Sequence, residues 1–424
     1  MNEADAAELA DDLFRRESGR MVASLVARLG TSRLQLAEDV VQDAMVKALQ
    51  TWPYRGMPAN PAAWLMQTAK NLALDALRRE KRWNEKVDGI AAERERWLST
   101  ALEAESEEPL SDDTLRMLFV CFHPQLSIEA QTALALRTLC GLSPAEIAAA
   151  FLTSEAAIAK RLVRTRQQIR DLGLPFAVPD PVELPERLHG VLGTLYLLFN
   201  EGYKASRGDR LVREDLCREA IRLTHLLTTQ TATATPAVHA LLALMLFTGS
   251  RLAGRTDDVG NLLRLHEQAR ASWDHSMIAE GVRHLGLASS GDSLSPYHLE
   301  AGIAALHSLA ESAEATDWAR ILSLYDQLLV LAPSPVTAMN RAVAVARVHG
   351  PSAGMAALDE LLPCPTLESR HLYHAIRGTF ASELGQLGEA LRCFRQAGDL
   401  ASLPAERDFI ARRINECRET LEES

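Results

Sequence analysis

Aromatic side chains are scarce in this chain, at 5% of 424 residues, and Ala, Leu, Arg and Glu dominate instead. That balance disfavours strand-rich architectures and predicts an all-α protein. Cysteine is sparse too: Cys121, Cys140, Cys217, Cys364, Cys393 and Cys417 stand far apart with no CxxC spacing. A disulfide framework or zinc knuckle is therefore not expected, and a reducing cytoplasm suits the chain. The start, MNEADAAELADDLF, lacks the basic and apolar segments of a secretion signal, and no apolar run is seen to approach the ~18 residues of a membrane span. The expectation is a soluble, cytoplasmic protein with no membrane partner. No P-loop, GxGxxG, GxSxG or HExxH is present either, so neither an enzyme nor a cofactor is expected. His371 and His374, three apart on a predicted helix, could ligate a metal, but a packed or surface pair is the preferred reading and no metal site is assigned.

The formal net charge is −11, unevenly spread. Residues 1–87 hold 13 basic and 12 acidic groups, and 114–179 hold 7 and 4. Between them, 88–113 hold 2 and 9, and 180–424 hold 23 and 31. Two neutral or basic blocks thus precede an acidic remainder, the pattern of local nucleic-acid faces in an acidic whole. The chain is long enough for two to four domains at roughly 150 residues each. Breaks at TWPYRGMPANP and at the Pro-rich GLPFAVPDPVELP mark a loop and a connector. Beyond the connector, amphipathic helices alternate with short breakers, of which NEGY at 200–203 is the first.

Within 143–169, Ser143-Pro144-Ala145-Glu146 reads as a capping box with Pro at the first helical position. Phe151-Leu152-Thr153 forms a tight connection, Thr153 or Ser154 caps a second helix, and Ile158, Leu162 and Ile169 give that helix one apolar face. The opposite face carries Ser154, Glu155, Lys160, Arg161, Arg164, Gln167 and Gln168. Short polar residues at a helix start and basic residues beyond it suit a helix lying in a major groove. The arrangement predicts a helix-turn-helix.

Upstream, AEDVVQDAMVKALQTWP places Val40, Val41, Ala44, Met45 and Ala48 inward and Glu38, Asp39, Gln42 and Asp43 outward. The following NPAAWLMQTAKNLALDALRREKR buries Ala63, Leu65, Leu72 and part of Leu74 to Leu77. It exposes Trp64, Lys70, Asn71, Asp75, Arg78, Arg79, Lys81 and Arg82. Aromatics interleaved with cations suit an unpaired strand, whose bases stack while Lys and Arg hold phosphates.

On these three motifs the chain resembles a bacterial RNA polymerase sigma factor of the extracytoplasmic function (ECF) group, in the subgroup with a long tetratricopeptide-like extension. The resemblance implies region 2 over 8–86, an acidic linker over 87–111, region 4 over 112–173, a Pro-rich linker over 174–185 and a helical extension over 186–424. It implies that Glu38, Asp39, Gln42 and Asp43 dock on core polymerase (its β and β′ subunits). The loop from Trp52 to Asn60 would capture a base, and Asn60, Trp64, Lys70, Asn71, Asp75, Arg78 and Arg79 would form the minus-10 face, a plain core role being the other reading of Trp64. Ser154, Glu155, Ala156, Lys160, Arg161 and Arg164 would read the minus-35 element of promoter DNA. Ala157 and Ala159 depart from the usual polar or basic residues, so the base preference does not carry over.

In the extension, Gly378, Gly385, Ala390, Phe394 and Ala397 fall at positions 8, 15, 20, 24 and 27 of a 34-residue tetratricopeptide pattern beginning at His371. About three degenerate repeats are expected over 296–404, with a protein or an intramolecular surface as partner. A helix-turn-helix activator with a repeat-type sensor is the alternative reading, and a repeat scaffold without DNA function a third.

Overall fold

The computed structural model describes residues 17–84, 110–150, 153–204, 212–257 and 262–422. The expected acidic linker, and Phe151 and Leu152 of the expected turn, fall wholly or mostly outside them. No named strand occurs among the described residues. The chain divides into two compact units, Met1–Leu198 and Phe199–Ser424.

In the first unit, α1 (17–29) buries Met21, Val22, Leu25, Val26 and Leu29. Helix α2 (Leu34–Arg55) buries Leu34, Ala37, Val40, Val41, Ala44, Ala48 and Trp52. Its length corrects the expected loop from Trp52: the helix runs through Pro53 and ends where Gly56 takes a φ of 79°. Proline is tolerated there because it removes a single N–H within the last turn, and the Gly56 N–H still reaches the Trp52 carbonyl at 2.9 Å. In α3 (Pro61–Asn84) the buried stripe is Leu65, Ala69, Ala73 and Leu77. Its four-residue spacing leaves Ala63 exposed and Leu72 half-buried, correcting both expectations.

Helices α4 (Leu110–Cys121), α5 (Ile128–Thr138), α6 (Pro144–Ala150) and α7 (Glu155–Leu172) complete the unit with the first part of α8 (Leu184–Tyr203). The predicted capping box is present: Glu146 N–H donates to Ser143 Oγ at 3.2 Å, and Ser143 N–H to Glu146 Oε2 at 2.7 Å. Arg187, near the start of α8, is buried over the Phe119 ring and donates from Nε to the Phe122 carbonyl at 3.0 Å and from its terminal nitrogen to the Phe119 carbonyl. Burial lowers its pKa, only partly opposed by Glu183.

In the second unit, NEGY is not a break, because α8 continues through Tyr203. A Cβ on Gly202 would lie 2.7 Å from the Cys217 amide, so glycine here admits α9 (Glu214–Thr228) at close range. At the centre lies α10 (Pro236–Gly249), buried on nearly every side by Val238, Leu241, Leu242, Met245, Leu246 and Phe247. The 19-residue segment Pro236–Gly254 is in fact long and apolar enough to span a membrane, which corrects the expectation of no such run. Within this unit 67% of its apolar window is buried, and an all-round apolar helix is what a protein core requires.

Around it pack α11 (His275–Ala288) and α12 (Pro296–Leu309), and then α13 (Trp318–Leu331), α14 (Pro335–His349) and α15 (Pro351–Asp359). A short helix, α16 (Pro365–Glu368), leads to α17 (His371–Glu383), α18 (Leu387–Leu400) and α19 (Pro404–Glu422). Successive helices pair locally, consistent with a repeat domain. At the expected repeat, Gly378 lets the Phe394 ring close in: a Cβ there would meet it at 2.9 Å. Gly385 turns the chain with a φ of 74°, and Ala390 and Ala397 are fully buried. His371 and His374 go to separate partners, Glu406 at 3.2 Å and the Glu368 carbonyl at 2.8 Å.

Candidate nucleic-acid interface

On α2 the predicted outward set divides. Asp39, Gln42 and Asp43 are exposed, whereas Glu38 is buried at 6% exposure. The covering elements come from the helix-turn-helix block. Glu38 Oε2 lies 2.6 Å from Arg166 Nε on α7, and the Thr138 hydroxyl donates to Glu38 Oε1 at 2.7 Å. The Glu38–Arg166 pair is close without being a well-directed hydrogen bond, so charge holds it. Arg137 donates to Gln42 at 3.2 Å, and the Thr31 hydroxyl donates to the Leu174 carbonyl at 2.6 Å. Gly19 on α1 lies against the Leu139 backbone, where a Cβ would clash at 2.3 Å. A crevice of about 250 Å³ remains between the blocks, lined by Glu38, Val41, Gln42, Arg137, Thr138 and Glu146 among others.

Helical period assigned Glu38 to the outer edge of α2 but could not show that a second block covers that edge. Further along the same exposed face, Val46 (48% exposed) and Leu49 (49%) add apolar surface beside Asp39, Gln42 and Asp43. Acid and exposed aliphatics together suit a protein partner more than DNA. Their three-residue spacing, in step with Asp39, Gln42 and Asp43, is the sequence signal that sets them on this face.

On α3, Asn71, Asp75, Arg78 and Arg79 are exposed and Lys70 is half-buried. Asn60 caps the helix, accepting from the Ala63 N–H at 3.0 Å. Trp64 lies between the stacking platform and the core residue that the sequence allows: it is half-buried, packed edge-on against buried Trp52 with ring centroids 5.6 Å apart. Both rings lie on the flank where the two helices meet, so packing claims most of this indole. Arg78 and Asp75 pair at 3.6 Å, both widely exposed, a contact of little energetic weight. Lys81 and Arg82 belong to α3, but their side chains lie outside the described residues.

On α7, Ser154 is the N-cap, accepting from the Ala157 N–H at 3.3 Å. Ser154, Glu155, Ala156, Lys160 and Arg164 are exposed and Arg161 is half-buried, while Ile158, Leu162, Thr165 and Ile169 form the buried stripe. Gln168 is held by the Gln125 carbonyl at 2.7 Å. Val163, 63% exposed, shares the outer surface with Lys160 and Arg164. An exposed aliphatic on such a helix can meet a thymine methyl.

A compact helical block with a basic α3 face, joined to a capped helix-turn-helix, defines the class of a DNA-reading protein. Residues 14–83 match Sigma-70 region 2, residues 116–169 match Sigma-70 region 4, and residues 187–289 match a family of unknown function (DUF6596). An uncharacterized protein of Rhizobium meliloti (strain 1021) is 40% identical over 386 residues, 90% of each chain. The chain belongs to the ECF-type sigma factors, with a helical C-terminal extension.

Proposed function

We propose that this sigma factor binds core RNA polymerase through Asp39, Gln42, Asp43 and, once uncovered, Glu38. It then sets α7 on the minus-35 element and opens the minus-10 element with α3. The chemistry is recruitment and strand capture rather than bond making, carried out beside polymerase in the cytoplasm. Asn60, Trp64, Lys70, Asn71, Asp75, Arg78 and Arg79 contact the melted strand. Ser154, Glu155, Ala156, Lys160, Arg161 and Arg164 contact the duplex, with the cations on phosphates and therefore sensitive to salt.

The observation that carries this reading is one chain holding both a region 2 block with an exposed acidic α2 face and a region 4 block with an exposed basic α7 face, the two joined through Glu38 beneath Arg166 and Thr138. Elements centred at minus-10 and minus-35 lie about 25 base pairs apart, on the order of 85 Å along B-DNA. Two blocks joined by direct side-chain contacts cannot reach both, so the factor works by opening this contact and exposing Glu38 to polymerase. The helical extension from 186 onward modulates the process through a protein or intramolecular partner. Run-off transcription with core polymerase on genomic fragments tests the proposal. Discrete transcripts that need α3 and α7 support it, and no factor-dependent transcript from any fragment overturns it.

A further inference from the structure

We propose that His225, Glu280 and His284, on α9 and α11, form a binding site for a divalent transition-metal ion of the zinc class. Nothing in the promoter-binding reading uses these residues, and their ligand atoms all lie within 4.8 Å of one another. Glu280 Oε1 is 3.7 Å from both His225 Nε2 and His284 Nε2. Glu280 and His284 are one helical turn apart on α11 and share a face, with His225 supplied from α9.

The lone pair needed for coordination is held by a cation that a metal ion would displace, Arg283, whose terminal nitrogen also lies 3.7 Å from Glu280 Oε1. Arg283, which can only donate, lies 2.8 Å from His284 Nε2, so that nitrogen is the acceptor. The proton then sits on His284 Nδ1, which is 2.9 Å from His239 Nδ1. A ligating imidazole whose second nitrogen is engaged by a partner is the usual arrangement around bound metal. His284 is almost fully buried and fixed, whereas His225 is half exposed and can swing. Ligand atoms around zinc sit about 3.3 Å apart at bonds of about 2.0–2.1 Å, so only a small inward movement is needed. Two imidazoles and one carboxylate leave further positions for water, and the set favours zinc, nickel, copper or cobalt over magnesium or calcium. Exposed Arg283 would give up its hydrogen bond to the incoming ion.

The test uses the full chain, titrated with Zn(II) by calorimetry and with Co(II) by visible absorption. Expected are one ion per chain, ligand-field bands for Co(II) that Zn(II) displaces, and affinity at least about tenfold weaker for His225→Ala and for Glu280→Ala. Arg283→Ala, which removes a competing cation, should tighten binding severalfold. These positions are exposed or half-exposed, and matching helical dichroism checks that each variant folds. The proposal is overturned if Zn(II) and Co(II) bind the unaltered chain no more tightly than the His225→Ala/Glu280→Ala double variant. Either result leaves the promoter-binding reading intact, because these variants lie outside α2, α3 and α7.

Discussion

Replacing Arg166 with Ala would leave Glu38 buried with a single hydrogen bond, from the Thr138 hydroxyl. Removing one partner of a buried ion pair costs about 3–5 kcal/mol, because the remaining charge has lost its compensation without regaining water. Here that penalty falls on the closed arrangement alone, since separation of the two blocks rehydrates Glu38. Allowing for partial water entry at the edge of the crevice, about 2 kcal/mol should remain. At 1.4 kcal/mol per tenfold, this shifts the balance toward the open form by roughly 30-fold. Fluorophores on α2 and α7 should report a longer separation for Arg166→Ala. The apparent Kd for core polymerase should fall by up to the same factor, because the binding-competent fraction rises. The double variant Glu38→Gln/Arg166→Met leaves no unpaired charge and should open far less. The reasoning is refuted if Arg166→Ala folds normally yet changes neither the separation nor the affinity for core polymerase.

Lys160→Ala and Arg164→Ala should each weaken promoter binding across sequences and reduce the salt slope by about one, measured by titration at several salt concentrations. In the extension, burial and then the charges of Arg251 and Arg270 hold the His307 pKa down to about 4. The unfolded chain therefore takes up a proton below pH 6.5 that the folded unit refuses. Stability should be full above pH 6.5 and fall between pH 6.5 and 4 by about 3 kcal/mol, and His307→Leu should flatten that limb in urea melts. Glu406 acts in a lower window: burial opposes its ionisation, but hydrogen bonding to His371 and the charge of Lys204 overcome this and hold its pKa at about 2. Its contribution is present above pH 4.5 and lost as pH falls toward 2, a limb that Glu406→Gln should remove. Gly378→Val would drive a side chain into the Phe394 ring and should cost about 1–3 kcal/mol by thermal melting.

Much of the molecule was legible in the residues because its signals are local. The capping box at Ser143–Glu146, the Ile158–Leu162–Ile169 stripe and the small residues of the repeat at 378–397 each depend on neighbours in the same helix or hairpin. The misreadings share the opposite property. Glu38 lies on the polar edge of α2 and is covered by residues about a hundred positions later. Trp64 has the composition of a stacking platform, but Trp52, one helix earlier, occupies part of its surface. Pro53 and Gly202 looked like punctuation, yet one sits in a terminal turn that tolerates it and the other where two helices need room. The grouping of His225, Glu280 and His284 was invisible for the same reason, since α10 separates their helices in sequence.

The buried Arg187 bears on where this protein can be cut and recombined. By sequence, the Pro-rich connector after Leu174 is the natural seam, yet a fragment ending there would strip the Phe119 and Phe122 carbonyls of their guanidinium donor. A portable promoter-reading fragment should therefore keep the first part of α8, as far as Leu198, where the first unit ends. Exchanging extensions between relatives meets the same helix from its other end: Gly202 admits α9 and the Cys217 thiol donates to the Phe199 carbonyl, so a graft that begins at α9 would lose the part of α8 it packs on.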